Sequence, residues 1–565
     1  MAERLAQLAQ AQGTGIILGV LTLVALVSSG GTKAASFDEV KKLVASGAEA
    51  GDKFGVSVAV SEDTAVVGAY FEDAGGALAG AAYVFQRDQG GTDNWAEVKK
   101  LTASDAQADD HFGVSVAISG NTAVVGAYFE DAGGQLAGAV YVFQRDQGGV
   151  NNWGEVRKLT ASDAQAFDLF GSSVAVSGDT IVVGALGEDA GGEDAGAAYV
   201  FQRDQGGADN WGEVAKLAAA DAEADDLFGR SVAISDDTAV VGAQHESAGG
   251  FRAGAAYLYQ RDEGGADNWG EAKKLTASDA QAFDVFGYSV AISGDAAVAG
   301  AYAESAGGSF AGAAYVFQRD EGGGDNWGEV KKLTASDAQV NDVFGQAVAV
   351  SGNTTVVGAI GDDAEVDEAG AAYVFQRNEG GADNWGEAQK LTASDAQPSD
   401  NFGASLAISA NTAIVGAPDG DAQSVDAGAA YIFDVPPMQS DPGDTDLDGC
   451  SDMEENGPAP SAGGLRNYKN FWDFYDIDTE NGAAAGTHLQ GAISLGNIFE
   501  VANRFGQAGD SGIDPLSDAS GAGYHTRYDR GPQIGANIWN RGPADGAVAL
   551  GDVFAIAGQF AHGCL

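Results

Sequence analysis

The chain has 565 residues, 82 acidic against 29 basic side chains, and a formal charge of −53. That balance excludes nucleic acid as a partner, because phosphate binding needs clustered Lys and Arg, and it suits a cation-rich medium, a solvated acidic surface or basic partners. The length is ample for a large buried core.

The strongly apolar run is residues 15–29 (GIILGVLTLVALVSS), the length of a secretory h-region rather than of a full membrane span. Its flanks are irregular: Arg4 is opposed by Glu3, and Lys33 spoils a small-x-small site before Ala35. Residues 1–36 therefore read as a signal peptide cleaved between Ser29 and Ser36, or as an uncleaved anchor. Either way the rest of the chain is expected to face outward.

From residue 37 the chain repeats itself. Phe-Gly recurs at Phe54, Phe112, Phe170, Phe228, Phe286, Phe344 and Phe402, always 58 residues apart without insertion or deletion. A fixed period of this length signals a repeat architecture. Each unit predicts four short strands, in the first copy residues 54–61, 64–69, 80–87 and 97–104. The first of these alternates Phe/Val with Gly/Ser/Ala at period two, and turn pairs such as Glu62-Asp63 or Gly120-Asn121 join it to the second. Apolar or small residues on both faces mean that every four-stranded sheet is covered on two sides, as blades around an axis.

The ends of the array predict closure. A fourth-strand sequence (EVKKLVAS, residues 39–46) precedes the first Phe-Gly, and after Phe402 only the first three strands follow, ending at Tyr431-Ile432-Phe433. Pairing these orphans completes a seventh blade and removes the open edges. The units resemble FG-GAP repeats, the blades of the seven-bladed propeller in integrin alpha subunits and bacterial surface proteins. The resemblance implies an all-β, seven-bladed propeller over residues 37–434, closed by an N-terminal strand, and a binding or adhesion role. The calcium loops of integrin repeats are not carried over, because Glu62-Asp63 and its counterparts are too short to hold a D-x-D-x-D-G loop.

Two connections in each unit are acidic and are expected at one rim of the ring. The connection leading into each Phe-Gly holds an Asp in every copy (Asp52, Asp110, Asp168, Asp226, Asp284, Asp342, Asp400), read as an acceptor of backbone N–H groups in a turn. The connection between second and third strands holds Glu72, Glu130, Glu188, Glu246, Glu304, Asp362 and Asp419, so this rim is expected to carry a dense ring of carboxylates. Here the copies also diverge. After Phe-Gly they read Val56, Val114, Ser172, Arg230, Tyr288, Gln346 and Ala404, and one loop carries Phe251-Arg252. Scaffold positions repeat and recognition positions need not, so Arg230, Phe251, Arg252 and Tyr288 are the candidate ligand-binding residues. At the opposite rim a Trp recurs six times (Trp95, Trp153, Trp211, Trp269, Trp327, Trp385) and is read as a packed plug rather than a sugar-stacking platform. Nothing in the array has the form of an active site: the five His are isolated, and Ser57 sits in G-V-S-V-A, with Ala347 at its place in another copy.

Beyond a linker at residues 435–443, residues 444–565 form a different, α-rich module. Asp444, Asp446, Asp448, Asp452 and Glu455 place side-chain oxygens at positions 1, 3, 5, 9 and 12 of a calcium loop, with Gly449 at the sixth and the Cys450 carbonyl at the seventh. Hard oxygen donors at this spacing select Ca2+ over Zn2+. Residues 490–499 and 545–554 align at an offset of 55 and each lead into a helical pattern, so the tail is similar to a dockerin module, which implies a cohesin-like or cell-wall partner. Gln490 and Asn497, and then Arg541 and Pro543, depart from the ligand pattern of that family. Cys450 and Cys564 bracket the tail, and an oxidising exterior allows them to bridge.

The sequence thus reads as a secreted or cell-surface, non-catalytic binding protein for a protein or glycan ligand, with a calcium-binding tail. An accessory subunit or enzyme of an extracellular carbohydrate-processing assembly, and a purely structural envelope protein, are the alternatives.

Overall fold

In the computed structural model the described residues are 37–436, apart from 266–267, 364–365 and 382. The sequence readings for residues 1–36, for the calcium loop Asp444, Asp446, Asp448, Cys450, Asp452 and Glu455, and for the Cys450–Cys564 pair lie outside them. Among the described residues the regular elements are all strands, 28 of them in seven four-stranded sheets.

In the first blade β2 (Val58–Ser61), β3 (Thr64–Ala69), β4 (Ala81–Gln86) and β5 (Ala96–Leu101) lie side by side in chain order, all antiparallel. The two middle strands are buried throughout, as their unbroken apolar sequences require, whereas β5 is half-exposed along its length and carries the lysines. The first strands of successive blades touch one another all the way round, so they line the central axis. Closure is as the orphan strands predict: β1 (Glu39–Leu43) runs antiparallel to β28 (Ala429–Asp434), with Lys42 opposite Tyr431 and Leu43 opposite Ala430. Leu43, Ile414 and Ile432 share one apolar cluster with Phe54 and Tyr83, so the closing seam is packed like the others.

The blades stack large against small. Ala59, Val66, Ala82 and Val84 of the first blade meet Phe112, Val116, Val125, Tyr141 and Phe143 of the second. Each Phe of Phe-Gly is fully buried; Phe54 meets Tyr83 and Phe85 edge-on at 5.6 and 5.9 Å, contacts that contribute about 0.5–1.5 kcal/mol beyond area burial.

One expectation is corrected. Residues 54–57 are not extended strand: β2 begins at Val58, and where the strand does reach the Phe, as in Phe112–Ser119, its register breaks between Phe112 and Ser115. The reason is a clasp between blades. Phe112 bridges Gly80 of the preceding blade, and a Cβ on Gly80 (φ +85°) would lie 2.0 Å from the Phe112 carbonyl oxygen. Phe-Gly and Gly-Ala are the two halves of this clasp, which is why both words repeat. The recurrent Ser has the same purpose. Ser57 Oγ donates to the Gly113 carbonyl of the next blade at 2.8 Å, as Ser115, Ser173, Ser231, Ser289 and Ser405 do to theirs.

Candidate functional site

Strands that alternate in direction send the second-to-third connection and the blade-to-blade connection to the same rim. There they hydrogen-bond to each other: Asp109 N–H donates to the Ala77 carbonyl at 2.8 Å, and His111 N–H to that of Leu78 at 3.2 Å.

The expected carboxylates are at this rim, and those of the series Glu72, Glu130, Glu188, Glu246, Glu304 and Asp362 are buried in it. Lys158, on the fourth strand of the second blade, reaches Asp105 at 2.7 Å and the buried Glu130 at 2.8 Å. Tyr141 donates its hydroxyl to Asp105 at 2.7 Å, and Ala132 N–H donates to Glu130. Burial raises the Asp105 carboxyl, but the hydrogen bonds from Lys158 and Tyr141 outweigh it and hold the group below the ordinary carboxylate range. The same strut recurs around Lys216, Lys274, Lys332 and Lys390. It is incomplete at the closing seam. Gly47 stands where Asp105 does, leaving the buried Tyr83 hydroxyl without a partner, and Gly420 stands where Glu72 does. Asp419 is therefore not a member of the Glu72 series; it lies one residue off and pairs with Lys53 and Asn401.

The Asp that precedes each Phe-Gly is a turn acceptor, as read from sequence: Asp110 Oδ2 accepts from Gln107 N–H at 2.7 Å, and the other six repeat the bond. Burial pushes Asp110 and Asp168 up to about 6, backbone donors oppose this, and the neighbouring Glu130 and Glu188 charges add to it.

The strut aspartates stay about half exposed, Asp105 by 47%, and against this repeated background the divergent residues stand out. The position after Phe-Gly is half-buried in all seven blades, at the start of the strands that line the axis. The Arg230 guanidinium lies over the ring of Tyr288 on the next blade, 4.4 Å from its centroid, and Tyr302 meets Tyr288 edge-on at 4.6 Å. Farther out, Arg252 lies 5.4 Å over Phe251, which meets Phe283 edge-on at 5.3 Å. Burial depresses the imidazole of His245, the Arg252 and Arg230 charges add to that, and Asp225 opposes it. The four residues singled out from sequence thus form two pairs, Arg230 with Tyr288 and Phe251 with Arg252. Sequence reasoning missed Phe283, Tyr302 and His245. Their signal was the same divergence: Phe283, like Phe167, occupies the place of Gly51, Asp109, Asp225, Asn341 and Ser399.

A second aromatic group lies over the first two blades. His111 stacks on Phe129 at 4.6 Å and its Nδ1 is 3.4 Å from the Tyr128 hydroxyl, with Tyr70 and Phe71 alongside. Burial holds His111 below the ordinary imidazole range against the pull of Asp109.

Exposed large apolar side chains concentrate here. Among the described residues Phe167, Phe251, Phe283, Phe310, Val340 and Val425 are on connections of this rim, and Val150 is on the other. The opposite rim is regular: its six tryptophans are 1–6% exposed, and Arg87 covers Trp95 at 5.1 Å. They are packing residues, as expected.

A family model described as FG-GAP repeat matches the chain seven times, over residues 37–85, 95–143, 153–201, 211–259, 269–317, 327–375 and 385–433. Each matched segment starts on the fourth strand of one blade and ends on the third strand of the next, so the unit of sequence interlocks two blades. No curated protein matches the chain. Seven matched segments, a clasp of Phe-Gly on Gly-Ala at the blade junctions and a closed seven-bladed ring make this chain a member of the FG-GAP repeat family.

Proposed function

We propose that this protein is a secreted or surface-displayed, non-catalytic binding protein of adhesion type, which uses the rim that carries the second-to-third and blade-to-blade connections. The observation that carries this reading is the segregation of side chains. Among the described residues, six of the seven exposed large apolar side chains are on one rim, where the copies diverge, while the other rim repeats itself. Solvent-exposed apolar groups gathered on one face mark interaction surfaces, and loop residues on a rigid scaffold are free to vary with the partner. The partner class is a protein or glycan at a cell surface.

The test is adhesion of beads coated with the full chain to intact cells of the producing culture. A Phe251→Ser, Phe283→Ser, Phe310→Ser triple variant is expected to lose adhesion and Val150→Ser to keep it. Equal retention, or equal loss, overturns the reading.

The tail supplies the second part of the proposal. Residues 444–455 bind one Ca2+ through Asp444, Asp446, Asp448, the Cys450 carbonyl, Asp452 and Glu455, supported by the ligand spacing alone. A cohesin-like or cell-wall partner for the tail follows from its resemblance to a dockerin module over residues 490–499 and 545–554. Calorimetric titration with Ca2+ is expected to show one binding event that Asp444→Ala and Glu455→Ala remove; unchanged heats reject the site.

A further inference from the structure

The net charge of −53 by itself favours a basic ligand. The strip over blades four and five points the other way. Among the described lysines and arginines, eighteen have a side chain hydrogen-bonded or ion-paired to an acidic, amide or hydroxyl group of the protein. Three do not: Arg157, alone on the outer strand of the second blade, and Arg230 and Arg252. In a protein with this excess of acid, two guanidinium groups left without a carboxylate at the rim are conspicuous. Both lie over aromatic rings instead, Arg230 over Tyr288 and Arg252 over Phe251. A guanidinium set over a ring with no side-chain acceptor of its own keeps N–H donors available for a bidentate carboxylate. The two pairs are joined through the backbone: Phe283 and Val285 N–H donate to the Phe251 and Arg252 carbonyls at 2.9 and 3.2 Å, and Tyr288 N–H donates to the Val285 carbonyl at 3.2 Å.

We propose that this strip is a docking site for an acidic polypeptide segment, whose carboxylates pair with Arg230 and Arg252 and whose neighbouring apolar side chain packs on Phe251 and Phe283. This rests on the reading that this rim is the binding face, and names the chemistry it selects. A polypeptide fits better than an acidic sugar chain. Phe251 and Phe283 are 60% and 59% exposed and meet at 74°, so they offer an apolar cleft rather than a coplanar platform, and neither ring has a polar handle for hydroxyl groups. Aromatic side chains beside Arg are the composition of protein–protein hot spots. The acidic remainder of the propeller repels the same segment elsewhere, so repulsion fixes where it docks as much as attraction does.

The experiment is selection of a random dodecapeptide phage library on the immobilised full chain, followed by fluorescence polarisation with the enriched peptides and with sodium polygalacturonate. Enriched peptides are expected to be net acidic with Phe, Leu or Trp beside Asp or Glu. Arg230→Gln and Arg252→Gln are each expected to weaken them by about 10- to 100-fold, the effect of losing one charged hydrogen-bonded pair. Arg→Lys is expected to restore part of that, with unfolding midpoints unchanged throughout. Enrichment of Lys/Arg-rich peptides that Phe251→Ser abolishes would overturn the acidic ligand and leave the binding face standing. Enriched peptides indifferent to every substitution on this rim would overturn both. Polygalacturonate bound in place of peptide would replace the polypeptide by a uronate chain.

Discussion

Replacing Lys158 by Met tests whether the acidic rim is a scaffold. The ammonium is flanked by Asp105 at 2.7 Å, whose side chain is 47% exposed, and by Glu130 at 2.8 Å, whose side chain is 3% exposed. Removing one member of a buried ion pair costs about 3–5 kcal/mol, because the other charge stays buried. Lys158 is itself 22% exposed, and Glu130 keeps the Ala132 N–H, so we take the lower end, about 3 kcal/mol. Asp105→Ala breaks only the exposed arm and leaves the Tyr141 hydroxyl as the Tyr83 hydroxyl already is, a loss of about 1 kcal/mol. Lys158→Met with Glu130→Gln removes the stranded charge while the amide oxygen still accepts from Ala132, and is expected to recover about 2 kcal/mol. The assay is native-state hydrogen exchange of amides at the seam between the first two blades, since a ring of repeats need not unfold in one step. The reasoning is refuted if Asp105→Ala costs as much as Lys158→Met, or if the double variant recovers nothing.

Other consequences concern the turn carboxylates and the clasp. Asp110 and Asp168 sit near 6 in the fold, above the unfolded value of about 3.9, so the folded protein binds their protons more tightly. Their contribution to stability is therefore absent well above pH 7 and grows as pH falls towards 4. Asp110→Asn, which keeps the acceptor for Gln107, is expected to reduce that pH dependence in denaturant titrations at pH 8, 6 and 4.5; an unaltered profile rejects the assignment. Asp105 and its counterparts, held low by Lys and Tyr, act oppositely: their contribution is present above the unfolded carboxyl value and is lost as pH falls through their folded values. At the clasp, the sixth blade has Ala347 in place of the bridging Ser. Ala347→Ser is expected to raise stability and Ser289→Ala to lower it, each by about 1 kcal/mol, read as opposite shifts of the thermal midpoint; shifts of the same sign would mean that the hydroxyl is not the cause.

Most of the fold was written in the sequence because the contacts of a propeller are contacts between neighbours in a repeat. The 58-residue period set the blade, the orphan strand before Phe54 set the closure, and the recurrence of Asp52 in all seven units and of Trp95 in six marked both as structural. What repeats must satisfy the same local surroundings each time, and so it can be read from one chain. Tertiary structure decided where each charge goes. Lys158 meets Asp105 across 53 residues and Arg230 meets Tyr288 across 58, through the rotation of one blade on the next. Composition shows an excess of carboxylates but not which are already paired. Only once the blades are stacked do the strut carboxylates meet lysines and tyrosines, while Arg230 and Arg252 lie over aromatic rings beside the exposed Phe251 and Phe283.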